Sequence, residues 1–211
     1  MSFAHAAHFP YDRLLAQIVS NHEDGALAGH SLRLEDLARR VVAELARVPG
    51  PLLPAAVLVH DVGKLAVPAV LLRKPRDLAP EELALVRSHT VLGRDWLEGF
   101  AAQFAGRDQA AHDFWRLAAG VAGGHHERPD GLGYPLGLAG DAVPLLWRVA
   151  RLVDVFDALT SRRSYREALP ADVAMRMMRD EIGGFDDSLL AALEAATEPF
   201  EAPLRRVGGW E

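Results

Sequence analysis

Apolar residues in this 211-residue chain recur at steps of three and four, and no stretch keeps the every-other-residue alternation of a half-buried strand. In the segment 30–48, HSLRLEDLARRVVAELARV, Leu34, Leu37, Ala38, Val41, Val42 and Leu45 share one side, while Arg33, Arg39, Arg40 and Glu44 fall mostly elsewhere. A helix of about 3.6 residues per turn converts that spacing into a single apolar stripe, which has to be buried against another helix. The Pro-Gly-Pro run at 49–51 stops it. A second helix is read from about Pro54 to the His60-Asp61 pair, with Gly63 near its end. Another opens at Pro80, with Glu81 and Glu82 complementing its dipole, and runs on to carry His89. Further helices are read at 108–124, 144–161, 171–181 and 187–197, around a Gly/Pro-rich loop at 127–143. The expectation is an all-α bundle of about seven or eight helices. Residues 1–10 are read as an extension and 11–211 as a single domain, without internal repeats.

Composition narrows the function classes. The formal charge is -6, from 29 acids against 23 bases, which argues against binding a nucleic acid polymer. There are no cysteines, so thiolate zinc, iron–sulfur clusters and disulfides are excluded. Any metal must be held by His, Asp and Glu. The N-terminus lacks the basic region and apolar core of a signal peptide, and no uncharged apolar run suggests a membrane span. A cytoplasmic protein is expected.

Nine histidines occur, at 5, 8, 22, 30, 60, 89, 112, 125 and 126. His5 and His8 are read as lying outside the folded part. His60-Asp61 follows the apolar run of LLPAAVLVHDVGKLAVP, and polar groups after such a run need partners, because unpaired burial is costly. Metal coordination is one source of partners; an Asp61–Lys64 ion pair at a helix end is the other. Asp154 and Asp157 lie three apart in RVARLVDVFDALTSRRSYR and share a helix face. They serve either as ligands or as partners of arginines at 162–166. His30 opens the long helix, and His89 lies within another. His125 and His126 are adjacent at a helix end, and neighbouring helical side chains diverge by about 100°. They are therefore suited to two neighbouring ions, or to an ion and a substrate phosphate, better than to one ion together. The sum of His30, His60, Asp61, His89, His125, His126 and Asp154 exceeds one tetrahedral zinc and suits two bridged ions. A nitrogen–oxygen set favours iron, manganese, nickel, cobalt or zinc over copper(I). Two metals about 3.5–4 Å apart are the recurrent arrangement for phosphoester hydrolysis.

With these residues assembled, the chain resembles the HD-GYP family of metal-dependent phosphohydrolases over about residues 11–198. The motifs run in order: HSLRL (30–34), HDVGK (60–64), LLRKPRDLAPEE (71–82), SHTVLG (88–93), HHERPDGLGYP (125–135) and DVFDALTSRRSYR (154–166). HDxGK alone marks only the wider superfamily; the last two motifs are far more specific. The resemblance implies an all-α HD domain that hydrolyses cyclic di-GMP, a bacterial second messenger, to pGpG or GMP. It implies metal ligands at His30, His60, Asp61, His89, His125, His126 and Asp154, with Asp61 bridging two divalent transition-metal ions, iron or manganese foremost. Lys64 would contact the phosphate, Gly133 and Tyr134 would line the substrate pocket, and Arg163 and Arg166 would engage phosphate or guanine. Some members hold a third metal through a Glu four residues before the first motif histidine. Here that position is Ala26, with Glu23 one turn further off, so two ions are expected.

The resulting expectation is attack on phosphorus by a metal-bridging hydroxide, with the cations and Lys64 stabilising the charge that develops. Two other readings stand beside it. One is a signalling adaptor that contacts a protein partner through the GYP loop. The other is a phosphodiesterase for another cyclic dinucleotide, 3′,3′-cGAMP. Many members carry an N-terminal receiver or sensor domain. For this chain, input is expected from a partner, from homodimerisation or from ligand supply, unless it is a domain excised from a longer protein.

Overall fold

The computed structural model describes residues 26–45, 52–74, 77–162 and 167–197. The described residues form nine α-helices: α1 (Ala26–Glu44), α2 (Leu53–Val57), α3 (Ala69–Leu72), α4 (Pro80–Arg87), α5 (His89–Phe104), α6 (Gln109–Gly124), α7 (Leu145–Thr160), α8 (Ala171–Asp180) and α9 (Asp187–Thr197). Two 3₁₀ turns, Val62–Ala66 and Gly140–Ala142, complete the set. No strand occurs among the described residues; the nearest approach to one is an isolated bridge between Asp130 and Ala139.

The stripe on α1 does what its spacing requires. Leu34, Leu37, Ala38, Val41 and Val42 are buried, and α1 packs on α2, α7 and α9. The largest helix–helix interface joins α5 and α6. α6 starts where Asp108 accepts a hydrogen bond from the Ala111 amide at 3.0 Å, a side-chain N-cap. Its inner face is Phe114, Trp115, Ala118, Val121 and Ala122. On α7, Val149, Leu152, Val153 and Phe156 reach the same core, which α8 closes with Ala174, Met175 and Met178 and α9 with Leu189, Leu190 and Leu193. Each fully buried leucine or valine of this kind contributes roughly 1.5–3 kcal/mol.

Four local outcomes differ from the sequence reading. The stretch 80–104 is two helices, not one. Ser88 Oγ, His89 Nδ1 and Thr90 Oγ1 donate in turn to the carbonyls of Leu85, Val86 and Arg87 at 2.7, 2.7 and 3.0 Å. Three successive polar side chains thus take up the last carbonyls of α4 at the break before α5. His89 consequently opens α5 instead of lying within a helix. α2 ends at Val57, so His60 and Asp61 stand on the turns that follow it. Finally, α1 begins at Ala26, which places His30 in its second turn and not at its start.

The turn carrying Asp61 and Lys64 is pressed onto α5. A Cβ on Gly63 would lie 1.9 Å from the His89 carbonyl oxygen and 2.6 Å from the Gly93 amide. Only a glycine permits this approach, and the approach holds Asp61 against His89.

Candidate metal centre

Seven side chains from five elements converge at one end of this core. α1 supplies His30, the turns after α2 supply His60 and Asp61, α5 supplies His89, the end of α6 supplies His125 and His126, and α7 supplies Asp154. Ligand atoms of His30, His60 and Asp61 lie within 4.8 Å of one another; so do those of His60, His125 and Asp154, and those of His89, His125 and His126.

Three of the imidazoles are fixed in the same way. His60, His89 and His125 each donate Nδ1–H to the carbonyl three residues back, of Val57, Val86 and Ala122, at 2.7, 2.7 and 3.0 Å. A carbonyl only accepts, so Nδ1 carries the proton and the lone pair of Nε2 faces the centre. The Nε2 atoms of His89 and His125 are 3.4 Å apart with both lone pairs turned inward. The Nε2 of His60 and the Oδ1 of Asp61 are buried with no hydrogen-bond partner. Acceptors collected without a donor among them call for a cation, and a nitrogen–oxygen set without sulfur fits a divalent transition metal.

Asp61 lies between two groups of donors. Its Oδ1 is 3.4 Å from His89 Nε2 and 3.7 Å from His125 Nε2, while its Oδ2 is 3.4 Å from His60 Nε2 and accepts from Lys64 Nζ. Asp154 Oδ1 is 4.0 Å from His60 Nε2 and 3.3 Å from His30 Nε2. The electrostatics follow. Burial alone would raise the Asp61 carboxyl, but Lys64 and His60 outweigh it and hold it well below the usual range. Burial likewise opposes ionisation of Asp154, and His30 and His60 hold it low. Burial pushes His89 down, His125 well down and His126 down to about 3, so these rings are neutral, the form in which imidazole binds metal. His30 is the exception: burial lowers it, yet Asp154 and Asp157 prevail and raise it to about 9. In the metal-free chain a proton answers the demand for positive charge on that side.

The adjacent pair behaves differently from two neighbours on a helix. His125 is the residue at which α6 ends, and His126 has already left it, so their rings lie 4.1 Å apart at 44° and both turn toward His89. The divergence expected of continuous helix does not apply.

The GYP loop packs onto this pair. The Tyr134 ring stacks on His126 at 4.7 Å and 21°, and the Arg87 guanidinium lies 4.8 Å from its other face. Burial raises the Tyr134 phenol, which stays protonated. Gly133 is needed where the loop crosses itself, since its Cβ would meet the Arg128 amide at 2.4 Å and Glu127 Cα at 2.6 Å. Glu127, fully buried, accepts from the amides of Leu136 and Leu138, the latter at 2.9 Å. The sequence reading assigned Glu127 no role; the signal was its place immediately before a loop rich in backbone donors. Arg128 ties the loop to Asp130 and to Glu181 beyond α8. Asp157 pairs with Arg33 and His30; the alternative partners, the arginines of 162–166, lie outside the described residues except for Arg162. Arg163 and Arg166 lie outside the described residues, as do Glu23 and the extension 1–10. Ala26 is the first residue of α1. No described helix is long and apolar enough to cross a membrane.

Fold and site together define a helical domain built around a histidine–aspartate metal centre. The HD domain family matches residues 13–189, and the chain belongs to that family, in its HD-GYP branch. It is 33% identical over 195 residues to a cyclic di-GMP phosphodiesterase of Vibrio cholerae, covering 87% of this chain and 39% of that protein. It is 35% identical over 173 residues to a 3′3′-cGAMP-specific phosphodiesterase of the same organism, covering 80% and 35%. A crystal structure of a cyclic GMP-AMP specific phosphodiesterase from Vibrio cholerae superposes with a TM-score of 0.58 at 16% identity, over 91% of this chain and 49% of that one, which shows the shared fold. The chain thus spans less than half the length of these relatives.

Proposed function

We propose that this chain is a metal-dependent phosphodiesterase that hydrolyses cyclic di-GMP to linear pGpG or GMP. The observation that carries this reading is the position of Asp61, one oxygen toward His89 and His125 and the other toward His60. That arrangement suits a bridge between two cations, one held by His30, His60 and Asp154, the other by His89, His125 and His126. Iron or manganese comes first on the donor set, then nickel, cobalt or zinc; with Ala26 in place of a Glu, the count is two. Bound there, two divalent ions supply Lewis-acid charge neutralisation and a water acidic enough to ionise near neutral pH.

The protein's own groups do the remainder. Lys64, paired to Asp61 and still 27% exposed, carries its charge to the open side of the centre, where a non-bridging phosphate oxygen would meet it. Nδ1 donation to main-chain carbonyls keeps the His60, His89 and His125 rings from turning. Tyr134, held between His126 and Arg87, forms the edge of the substrate pocket with Gly133. Arg163 and Arg166 are assigned to substrate phosphate or guanine, for which a planar guanidinium is suited both as bidentate donor and as stacking surface. Residues 11–211 act as one domain in this reading, the GYP loop is the face offered to a signalling partner, and the chain associates as a homodimer.

The test is chromatography of products from purified chain loaded with Fe²⁺ or Mn²⁺ and given cyclic di-GMP or 3′,3′-cGAMP separately. Conversion of cyclic di-GMP to pGpG or GMP, lost in Asp61→Ala, is the expected result. Selective turnover of 3′,3′-cGAMP would reassign the substrate, a reading supported by the named activity of the 35%-identical relative. Turnover of neither would overturn the enzyme assignment in favour of a binding module.

A further inference from the structure

The centre does not treat its histidines alike. His60, His89 and His125 give Nδ1–H to neutral carbonyls, but His30 gives it to a carboxylate, Asp157 Oδ2, at 2.7 Å. Asp157 is 5% exposed. Arg33 donates to both its oxygens, Nε to Oδ1 at 2.6 Å and a terminal nitrogen to Oδ2 at 2.9 Å, and Ser161 Oγ donates to Oδ1 at 3.1 Å. Each oxygen therefore accepts two bonds. A carboxylate offers about four lone-pair sites, so Asp157 has none left for a metal and acts through His30.

The remainder of the donor set is uneven in the same sense. Beside His30 and His60 stand Asp154, 3.3 Å from His30 Nε2, and one oxygen of Asp61; beside His89 stands the other oxygen of Asp61 at 3.4 Å, and Asp154 reaches His125 only within the looser 4.8 Å group it shares with His60. A carboxylate behind a ligating imidazole orients the ring and makes its far nitrogen more basic. Both effects strengthen the side that is already richer in negative charge.

We propose that Asp157, clamped by Arg33, is a positioning residue that fixes His30 on the centre and makes the His30–His60–Asp154 position the tighter of two unequal metal positions. This rests on the dinuclear reading given above. The His89–His125–His126 position is the weaker one and fills second.

The experiment titrates metal-free chain with Mn²⁺ alone, following free Mn²⁺ by its electron paramagnetic resonance signal, with helicity and thermal midpoint of each metal-free variant recorded alongside. Native chain is expected to bind two ions with separable affinities. Asp157→Ala is expected to weaken the tighter position by about 10–100-fold and leave the weaker one unchanged. Asp157→Asn keeps an oxygen acceptor for His30 and is expected to lie between; it also carries the test should Asp157→Ala lose helicity. Equal weakening of both positions in step with a lowered midpoint, or an unchanged tighter position, would overturn the positioning role alone. A native chain that takes up a single Mn²⁺ removes the dinuclear reading itself.

Discussion

Gly63→Ala tests whether the centre depends on how closely a turn approaches a helix. The new Cβ would lie 1.9 Å from the His89 carbonyl oxygen, 2.6 Å from the Gly93 amide and 2.8 Å from the His89 carbonyl carbon. All three are main-chain atoms of α5, so no side chain can swing aside. Real Cβ atoms essentially never come within 3.0 Å of another heavy atom, so the turn must retreat by at least 1.1 Å, the shortfall between 1.9 and 3.0 Å. Asp61 moves with it, away from a His89 nitrogen now 3.4 Å distant. Overpacking of this kind costs about 1–3 kcal/mol. At about 2–4 °C per kcal/mol for a domain of this size, the thermal midpoint should fall by about 2–12 °C. Misplacement of a catalytic group by about 1 Å is worth about 100-fold in rate. The assay is cyclic di-GMP hydrolysis by Mn²⁺-loaded chain together with a circular-dichroism melt. Gly99→Ala is the control: in the middle of α5 nothing lies within 4 Å of its Cβ, and it should be neutral or stabilising by about 0.5–1 kcal/mol. A Gly63→Ala chain with kcat and midpoint matching Gly99→Ala would refute the reasoning.

Other perturbations probe separate parts of the site. Asp61→Asn should abolish turnover and lower bound Mn²⁺, measured by metal analysis of dialysed protein, while far-ultraviolet dichroism stays native because the core is apolar and separate. Glu127→Ala should lower the thermal midpoint and expose loop residues 128–140 to limited proteolysis, since two charge-assisted hydrogen bonds are lost at about 1.5–3 kcal/mol each at most. The Asp130 carboxyl is held down to about 2, chiefly by its hydrogen bond from Arg128, against an ordinary value of 3.8. Its stabilising effect is therefore complete above the ordinary value and is lost as pH falls through about 2. The midpoint difference between native chain and Asp130→Asn should shrink over that interval; a difference independent of pH there would contradict the assignment.

Much of this was legible from residue order. Helical periodicity is a local property, and the stripe of Leu34, Leu37, Ala38, Val41 and Val42 faces the core as its spacing demands. The polar residues that follow or interrupt apolar runs, His60-Asp61 and Asp154, stood out because burial leaves them in need of partners. The motif order then named the remaining ligand candidates and the family. Less visible was anything set by the exact end of a helix. His89 reads as mid-helix until the hydroxyls of Ser88 and Thr90 are seen on the carbonyls of α4. His125 and His126 read as divergent until α6 is seen to end at Gly124, leaving both on the turn that follows.

What the sequence by itself determined is therefore the helical class, the donor types and, through the absence of cysteine, a centre of nitrogen and oxygen. What only the tertiary structure decided is which donors face each other. The two oxygens of Asp61 point to different histidines because Gly63 lets its turn sit directly on α5, and Asp157 serves His30 because α1 and α7 pack side by side, 127 residues apart in sequence. Periodicity is written in neighbours along the chain, whereas coordination and hydrogen bonding depend on distances of a few ångströms between segments that only the packed core brings together.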